Sequence, residues 1–384
     1  MINDQETLSS LLERVSRFVK ERCVPNEELV AETDEVPADL VQEMKEMGMF
    51  GLAIPKQYGG LGLTLEEEIL VGQEMAKTGV AFTSVFGTNN GIGSQGILID
   101  GTDEQKWHYL PKMASGEMIG SFALTEPDAG SDAGSLRTTA VKDGDFYILN
   151  GTKRFITNAQ HAAIFTVMAR TEAGSRGAKG VTAFIVEAET HGLTLGKTDK
   201  KMGHRGAHTC DVIFDDCRVP ATNIIGGVPG MGFKTAMKVL DRGRLTIAGG
   251  CVGKSERILE DAINFAEGLR QSDSSHDDFI KVKDMLAESR IDIYAAQCMV
   301  LDAARRFDMK KNVGMEAACC KLFATEVCGK VADRSIQIHG EAGYFSRYPA
   351  ERFYRDVRLY RIYEGTSQIQ QLVIAKSLIK SMQQ

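Results

Sequence analysis

A chain of 384 residues, 43% hydrophobic and 25% charged, is long enough for two or three domains around a large buried core. Its net charge of −7 excludes the basic groove that nucleic-acid binding needs, and no apolar run approaches the length of a membrane span. The start, Met1-Ile2-Asn3-Asp4-Gln5-Glu6, has neither the basic lead and apolar block of a secretory signal nor the Arg-rich character of a transit peptide, so a cytoplasmic protein is expected.

Residues 1–118 carry a helical pattern. Leu11, Leu12, Val15, Phe18 and Val19 recur at helical spacing, with Pro25, Pro37 and Tyr58-Gly59-Gly60-Leu61-Gly62 as punctuation. Residues 119–225 change to strands: Tyr147-Ile148-Leu149 lies between Asp143-Gly144 and Asn150-Gly151, both hairpin signals. Further apolar runs are Ile164 to Ala169, Val181 to Val186 and Val212 to Phe214. Short strands with such turns predict a compact antiparallel barrel or sandwich. From 226 to 384 helices return and lengthen. Phe279, Val282, Leu286, Ile293, Ala296, Val300, Ala303 and Phe307 mark the seam of a bundle helix, and Met315 to Ile338 is a second long helix. The expected fold class is α+β: an N-terminal helical domain, a central antiparallel β-barrel-like domain and a C-terminal helical bundle. No G-x-G-x-x-G follows a strand and no G-x-x-x-x-G-K-[ST] occurs, so neither a Rossmann nor a P-loop nucleotide site is indicated. The eight cysteines form no C-x-x-C pair and mostly sit in apolar periodic segments, which reads as reduced core residues. The seven histidines show no metal-binding spacing, so no metal site is expected.

Three stretches carry chemistry. In Phe122 to Asp132 an apolar strand ends in a hydroxyl and a Gly-rich loop whose N–H groups suit an anion or the rim of a flat cofactor; the sequence is equally that of an exposed turn. In Asn150 to Asn158, alternation sets Phe155 and Thr157 on one side of a strand, where an aromatic face and a hydroxyl could meet a planar ring; an ordinary half-exposed hairpin strand is the competing reading. In Tyr354 to Gln371, Glu364 stands between Leu359, Ile362 and Tyr363 and a Gly-Thr turn. Partial desolvation there would raise its pKa toward that of a useful base, whereas a solvated acid at a helix start is the plainer alternative.

Ten motifs in register along the chain decide among these readings: Y-G-G-L-G at 58–62, T-E-P-D-A-G-S-D at 125–132, N-G-T-K-R-F-I-T-N at 150–158, M-G-H-R-G at 202–206, F-D-D-C-R-V-P at 214–220, G-M-G-F-K at 230–234, L-D-R-G-R at 240–244, Q-I-H-G-E-A-G-Y at 337–344, R-D-V-R at 355–358 and I-Y-E-G-T at 362–366. With them the chain resembles the acyl-CoA dehydrogenases, flavoenzymes that oxidise acyl-CoA thioesters to 2-enoyl-CoA. The resemblance implies the same helical, β and helical-bundle order, and FAD as cofactor. It makes Glu364 the catalytic base that removes the pro-R α-proton while a hydride passes from Cβ to flavin N5. Some relatives hold the base where this chain has Gly243, which leaves Glu364 as the candidate. The thioester carbonyl is then held by a flavin ribityl hydroxyl and the Glu364 N–H, with Gly365 permitting the turn.

By the same resemblance Thr125 and Thr157 meet the flavin edge, and Phe122, Leu124 and Phe155 line the isoalloxazine, with Gly130 and Ile156 in the same segments. The family often has Trp where Phe155 stands, so stacking is kept and an indole N–H is lost. Ser131 lies where cofactor and CoA meet; Leu240, Asp241 and Arg244 follow the CoA; Tyr363 borders the thioester; Thr366 and Gln368 contact the flavin adenosine diphosphate. Arg270, Gln337, Ile338 and Gly340 correspond to contacts with the FAD of a neighbouring subunit. Two departures fall on that last group: the R-x-x-F-G of relatives is replaced by Arg270 to Asp278, expected as a polar loop, and G-G-x-G by Gly340-Glu341-Ala342-Gly343. Weaker FAD binding is expected from them. The helix from Ser84 to Ser94 forms the acyl pocket floor in the family; Ser84, Thr88, Gly91 and Gly93 leave room for a medium or longer chain, or mark close helix packing. An electron-transfer flavoprotein partner and a homotetramer, a dimer of dimers, complete the expectation. An acyl-CoA oxidase and a non-dehydrogenase flavin-binding relative are the alternatives.

Overall fold

The computed structural model describes residues 2–271 and 276–383, with the side chains of 269–281 outside that description. The N-terminal region contains α1 (Gln5–Phe18), α2 (Glu27–Thr33), α3 (Ala38–Glu46), α4 (Leu65–Met75), α5 (Val80–Thr88), α6 (Gln95–Asp100) and α7 (Asp103–Ser115). Local chemistry sets several starts. Asp4 caps α1, and Thr64–Glu67 and Thr102–Gln105 form reciprocal capping boxes on α4 and α7. The expected Ser84 to Ser94 helix is present but not uniform: α5 ends at Thr88 and the helical path continues through a π turn, Asn89–Gly93, into α6. There a Cβ on Gly93 would sit 2.3 Å from the Gly120 carbonyl oxygen, so Gly93 records close packing rather than room for a ligand.

The central sheet holds β1 (Gly120–Ala123), β2 (Thr139–Asp143), β3 (Phe146–Thr157), β4 (Ile164–Arg170), β5 (Val181–Glu187), β6 (Leu193–Leu195) and β7 (Thr209–Pro220). Its order is β1-β4-β2-β3-β7-β6, with β5 on β4. The β2–β3, β3–β7, β4–β5 and β6–β7 pairs are antiparallel, as the turn signals predict. β1 runs parallel to β4, with Gly120 opposite Ile164. It enters from α7 and has no hairpin to reverse it, so local turn chemistry could not reveal its direction.

The C-terminal region is α8 (Gly232–Gln271), α9 (His276–Asp308), α10 (Gly314–His339), α11 (Pro349–Val357) and α12 (Ser367–Ser381). The α9 seam buries Ile293, Ala296, Val300 and Ala303 against α8 and α10, with Leu286 and Phe307 half-buried beside them. The Phe279 side chain lies outside the described residues, as do Ser272 to Ser275 of the expected polar loop; Asp277 and Asp278 belong to the first turn of α9. Polar joints tie the regions together. Glu27 of α2 accepts from Arg352 of α11 at 3.0 Å and lies 3.5 Å from Arg257 of α8. The His204 N–H, in the loop before β7, donates to the Asp356 carboxylate of α11 at 2.5 Å. Among the described residues no helix is long and apolar enough to cross a membrane.

Candidate active site

After α11 the chain makes one short turn of helix, Arg358–Arg361, and reverses into α12 through two consecutive left-handed residues, Glu364 (φ 53°) and Gly365 (φ 86°). Glycine tolerates this geometry; glutamate is strained by it and must be held. Three donations hold it. Lys321 Nζ from α10 donates to the Gly365 carbonyl at 2.7 Å, and Gln370 Nε2 from α12 donates to the Glu364 and Gly365 carbonyls at 3.1 and 3.0 Å. Thr366 caps α12 by accepting from the Ile369 N–H at 3.2 Å. The Ile362 and Tyr363 amides both donate to the Leu359 carbonyl, while the Glu364 N–H has no backbone acceptor among the described residues.

The Glu364 carboxylate reaches α8. A Cβ built on Gly243 would lie 3.5 Å from Glu364 Oε2 and 3.7 Å from Ile92 of the π turn. The turn, the L-D-R-G-R helix and the Asn89–Gly93 segment therefore meet at one point. Oε2 is buried without a hydrogen-bond partner, and so is Arg244 Nε, whose Nη1 donates to Asp241 at 2.5 Å. Burial raises the Glu364 pKa above its ordinary value; the Arg244 and Lys321 charges pull against it without cancelling it. Asp241 is raised for the same reason, with Arg244 opposing. Tyr363 stacks on Tyr360 at 5.9 Å, and burial pushes its hydroxyl well above the usual range.

A second group forms where the loop after β1 crosses β3. Lys153, fully buried, donates to the Leu124 carbonyl at 3.1 Å and to Glu126 at 2.7 Å. Glu126 also accepts from the Thr138 N–H at 2.9 Å, and Arg154 N–H donates to the Thr125 carbonyl at 2.8 Å. Phe122, Leu124, Thr125, Phe155, Ile156 and Thr157 are thus drawn together where the end of β1 meets β3. The simple alternation predicted for this strand fails at Phe155. A bulge shifts the β3–β7 register between Lys153 and Ile156, both buried, and leaves Phe155 at φ 59° and 57% exposed. Phe122 and Leu124 are buried in the core between sheet and helices, with Thr125 half-buried and Gly130 and Ser131 exposed on the loop beyond. Leu240 is half-buried against the same core.

The remaining candidates stand apart. Thr366 and Gln368 line a cavity of about 180 Å³ with Arg358 and Arg361; Arg361 Nε is buried there without a partner. Gln337 lies sixteen residues beyond Lys321 on α10, about 24 Å at helical rise, and Arg270 lies twenty-six beyond Arg244 on α8, about 39 Å. Neither joins Glu364 within one chain. Gln337 and Gly340 are exposed, Gly340 with φ 58°, while the Ile338 side chain packs in the bundle core with Ala262 and Ala266. A side-chain contact from Ile338 to a cofactor does not fit that position. The Arg270 side chain lies outside the described residues. Sequence reasoning missed Lys321, Gln370 and the Lys153–Glu126 pair. The first had a signal, a cation on a helix face of Ala317, Ala318 and Ala324; for the pair, the alternation that buries Tyr147 and Leu149 runs on to Lys153.

Three family models match along the chain: acyl-CoA dehydrogenase N-terminal domain at residues 5–117, middle domain at 121–217 and C-terminal domain at 230–379. A subunit of the caffeyl-CoA reductase–Etf complex of Acetobacterium woodii is 38% identical over 97% of this chain and 98% of its own length. The butyryl-CoA dehydrogenase structure from Megasphaera elsdenii superposes with a TM-score of 0.93 at 32% identity, covering 99% of this chain and 100% of that one. An acyl-CoA dehydrogenase from Bacillus anthracis complexed with FAD gives a TM-score of 0.90 at 30% identity, over 99% of this chain and 68% of the other. The chain belongs to the acyl-CoA dehydrogenase family.

Proposed function

We propose that the protein removes two hydrogens from an acyl-CoA thioester to give the trans-2-enoyl-CoA, with Glu364 as base and an electron-transfer flavoprotein as acceptor. One observation carries this: a carboxylate on a strained turn against Gly243, with a raised pKa, its buried Oε2 and its own backbone N–H both without a partner among the described residues. A carboxylate whose pKa is raised by burial is a stronger base once ionised. The Glu364 N–H is a ready donor to a thioester carbonyl as enolate charge grows, which a weakly acidic α-proton requires. Asp241, Arg244, Leu240, Tyr363 and Ser131 are the proposed CoA and thioester contacts.

The residues present fit FAD. An exposed Phe155 beside the strapped Leu124–Thr125 segment suits a flat ring, and the Arg361 Nε orphan in the Thr366–Gln368 cavity suits a diphosphate. Bound there, FAD supplies the acceptor for the hydride that leaves Cβ. The reading includes a homotetramer in which Gln337, Gly340 and Arg270 serve a neighbour's cofactor, a cytoplasmic location, and domains at 1–118, 119–225 and 226–384. The caffeyl-CoA reductase relative favours a second reading, in which the same residues work toward saturation of an enoyl-CoA.

Anaerobic titration of the flavin-loaded protein with saturated acyl-CoAs of several lengths tests this. Loss of oxidised-flavin absorbance is expected and ranks the substrates. Glu364→Gln is expected to bind both ligands and to lose at least about 10²- to 10⁴-fold in the rate of bleaching. A Glu364→Gln protein bleached at the wild-type rate would end the base assignment. Reoxidation of reduced protein by enoyl-CoA alone would favour the saturating direction.

A further inference from the structure

A base on a strained turn needs an anchor, and the anchor here is unusual. Lys321 is 0% exposed, on a face of α10 whose other members, Ala317, Ala318, Ala324 and Thr325, are small and uncharged. Burying an ammonium is costly, and a lysine placed so is retained only where its charge or its hydrogen bonds are used. Its hydrogen bond goes to a carbonyl rather than to a carboxylate, at 2.7 Å to the residue after the base. Gln370 donates to the same oxygen from the opposite element, so the Gly365 peptide is gripped from α10 and α12 together. The groups facing the ammonium are Cys251 and Arg244 from α8, Glu364 from the turn and Glu326 from its own helix. Burial brings Lys321 down to about 8, against the pull of Cys251 and Glu364, which leaves it mainly charged at neutral pH.

Two neighbouring positive-φ residues give the turn little intrinsic preference for its shape, and Gly365 adds freedom rather than restraint. Fixing the Gly365 carbonyl fixes the peptide planes on either side. The Glu364 N–H and carboxylate follow from those planes.

We propose that Lys321 is a positioning residue for proton transfer: its grip on the Gly365 carbonyl sets the turn that presents Glu364, and its ammonium stands as counter-charge behind the carboxylate. The proposal rests on Glu364 being the base. Lys321 touches neither the substrate nor the cofactor in this account; it acts through the turn.

The experiment compares flavin-loaded wild type, Lys321→Met and Lys321→Arg, following the rate of flavin bleaching by an active acyl-CoA across pH, with acyl-CoA affinity read separately from the perturbed flavin spectrum. For Lys321→Met the limiting rate falls about 10- to 100-fold, as small misplacements of a reacting group do, while affinity stays within about threefold. The acid limb of the rate profile moves up by roughly one pH unit, because a nearby cation that favours the ionised carboxylate is gone. Lys321→Arg keeps the charge without the point contact, so its limb stays in place and its rate falls. A Lys321→Met protein with the wild-type rate and limb overturns the proposal. So does failure of both variants to fold with flavin bound, which assigns Lys321 to core stability alone. If no acyl-CoA bleaches the wild type, or Glu364→Gln reacts normally, the base assignment fails first and the Lys321 proposal falls with it.

Discussion

Glu364, the proposed base, is set against the stability of its own fold. Burial holds its folded-state pKa above the unfolded value, so the folded chain binds this proton more tightly than the unfolded chain does. Its contribution to stability is therefore full below the ordinary carboxylate range and is lost as pH rises through the folded-state value. Glutamine mimics the protonated acid at every pH. Glu364→Gln is expected to melt at a higher temperature than wild type at neutral pH, with the gap closing in acid below the ordinary carboxylate range. A lower melting temperature at neutral pH would mean that Arg244 and Lys321 stabilise the ionised form by more than burial costs it. In the sequence the stretch around I-Y-E-G-T alone left a solvated helix-start acid as the plainer reading, and only the ten motifs in register singled out Glu364 as the candidate base. Its left-handed backbone was not legible, since glutamate has no preference for φ 53° and the anchors come from residues 321 and 370.

At the scale of elements, capping and periodicity made the helices readable, while the sheet hid two features that matter to the site. β1 is parallel to β4 because of a connection, not a turn, and the β3 bulge that follows Lys153 breaks the alternation, burying Ile156 and turning Phe155 outward. Lys153 straps the Leu124–Glu126 segment to the strand that carries Phe155 and Thr157. Burial lowers the Lys153 pKa to about 8, with Glu126 opposing. For Glu126, burial acts upward, and the Lys153 charge and hydrogen bonds outweigh it to bring the value down. Lys153→Met strands a buried carboxylate, a loss of about 3–5 kcal/mol in comparable pairs. The lower end is expected, because Glu126 keeps the Arg137 and Thr138 amides. Thermal unfolding and flavin retention should fall together, and Lys153→Met combined with Glu126→Gln should recover part of the melting temperature. An unchanged melting temperature in the single variant would rule out the strap as a structural tie.

For the whole molecule, helix length is the telling quantity. Besides the Glu364 cluster, the β1–β3 group and the Thr366–Gln368 cavity, the candidate residues include Gln337 and Arg270, which lie about 24 and 39 Å along α10 and α8 from Lys321 and Arg244. Sequence order could not show this separation, because motifs in register carry no distance. One chain cannot bring both Glu364 and these residues to a single cofactor's reactive end, so the proposed roles of both require the proposed assembly of copies. The surface supplies apolar faces to do so: Ile291 and Tyr294, three residues apart on α9, are 67% and 61% exposed, and Tyr344 beside Gly340 is 84% exposed. Replacing Ile291 and Tyr294 together by Asp removes no buried contact within the chain, so the fold should stand. The double variant is expected to sediment as a smaller species than wild type and to lose flavin on gel filtration. A smaller species that keeps its flavin at wild-type occupancy would show that each chain holds its cofactor unaided, and the Gln337–Gly340 group would then need another role.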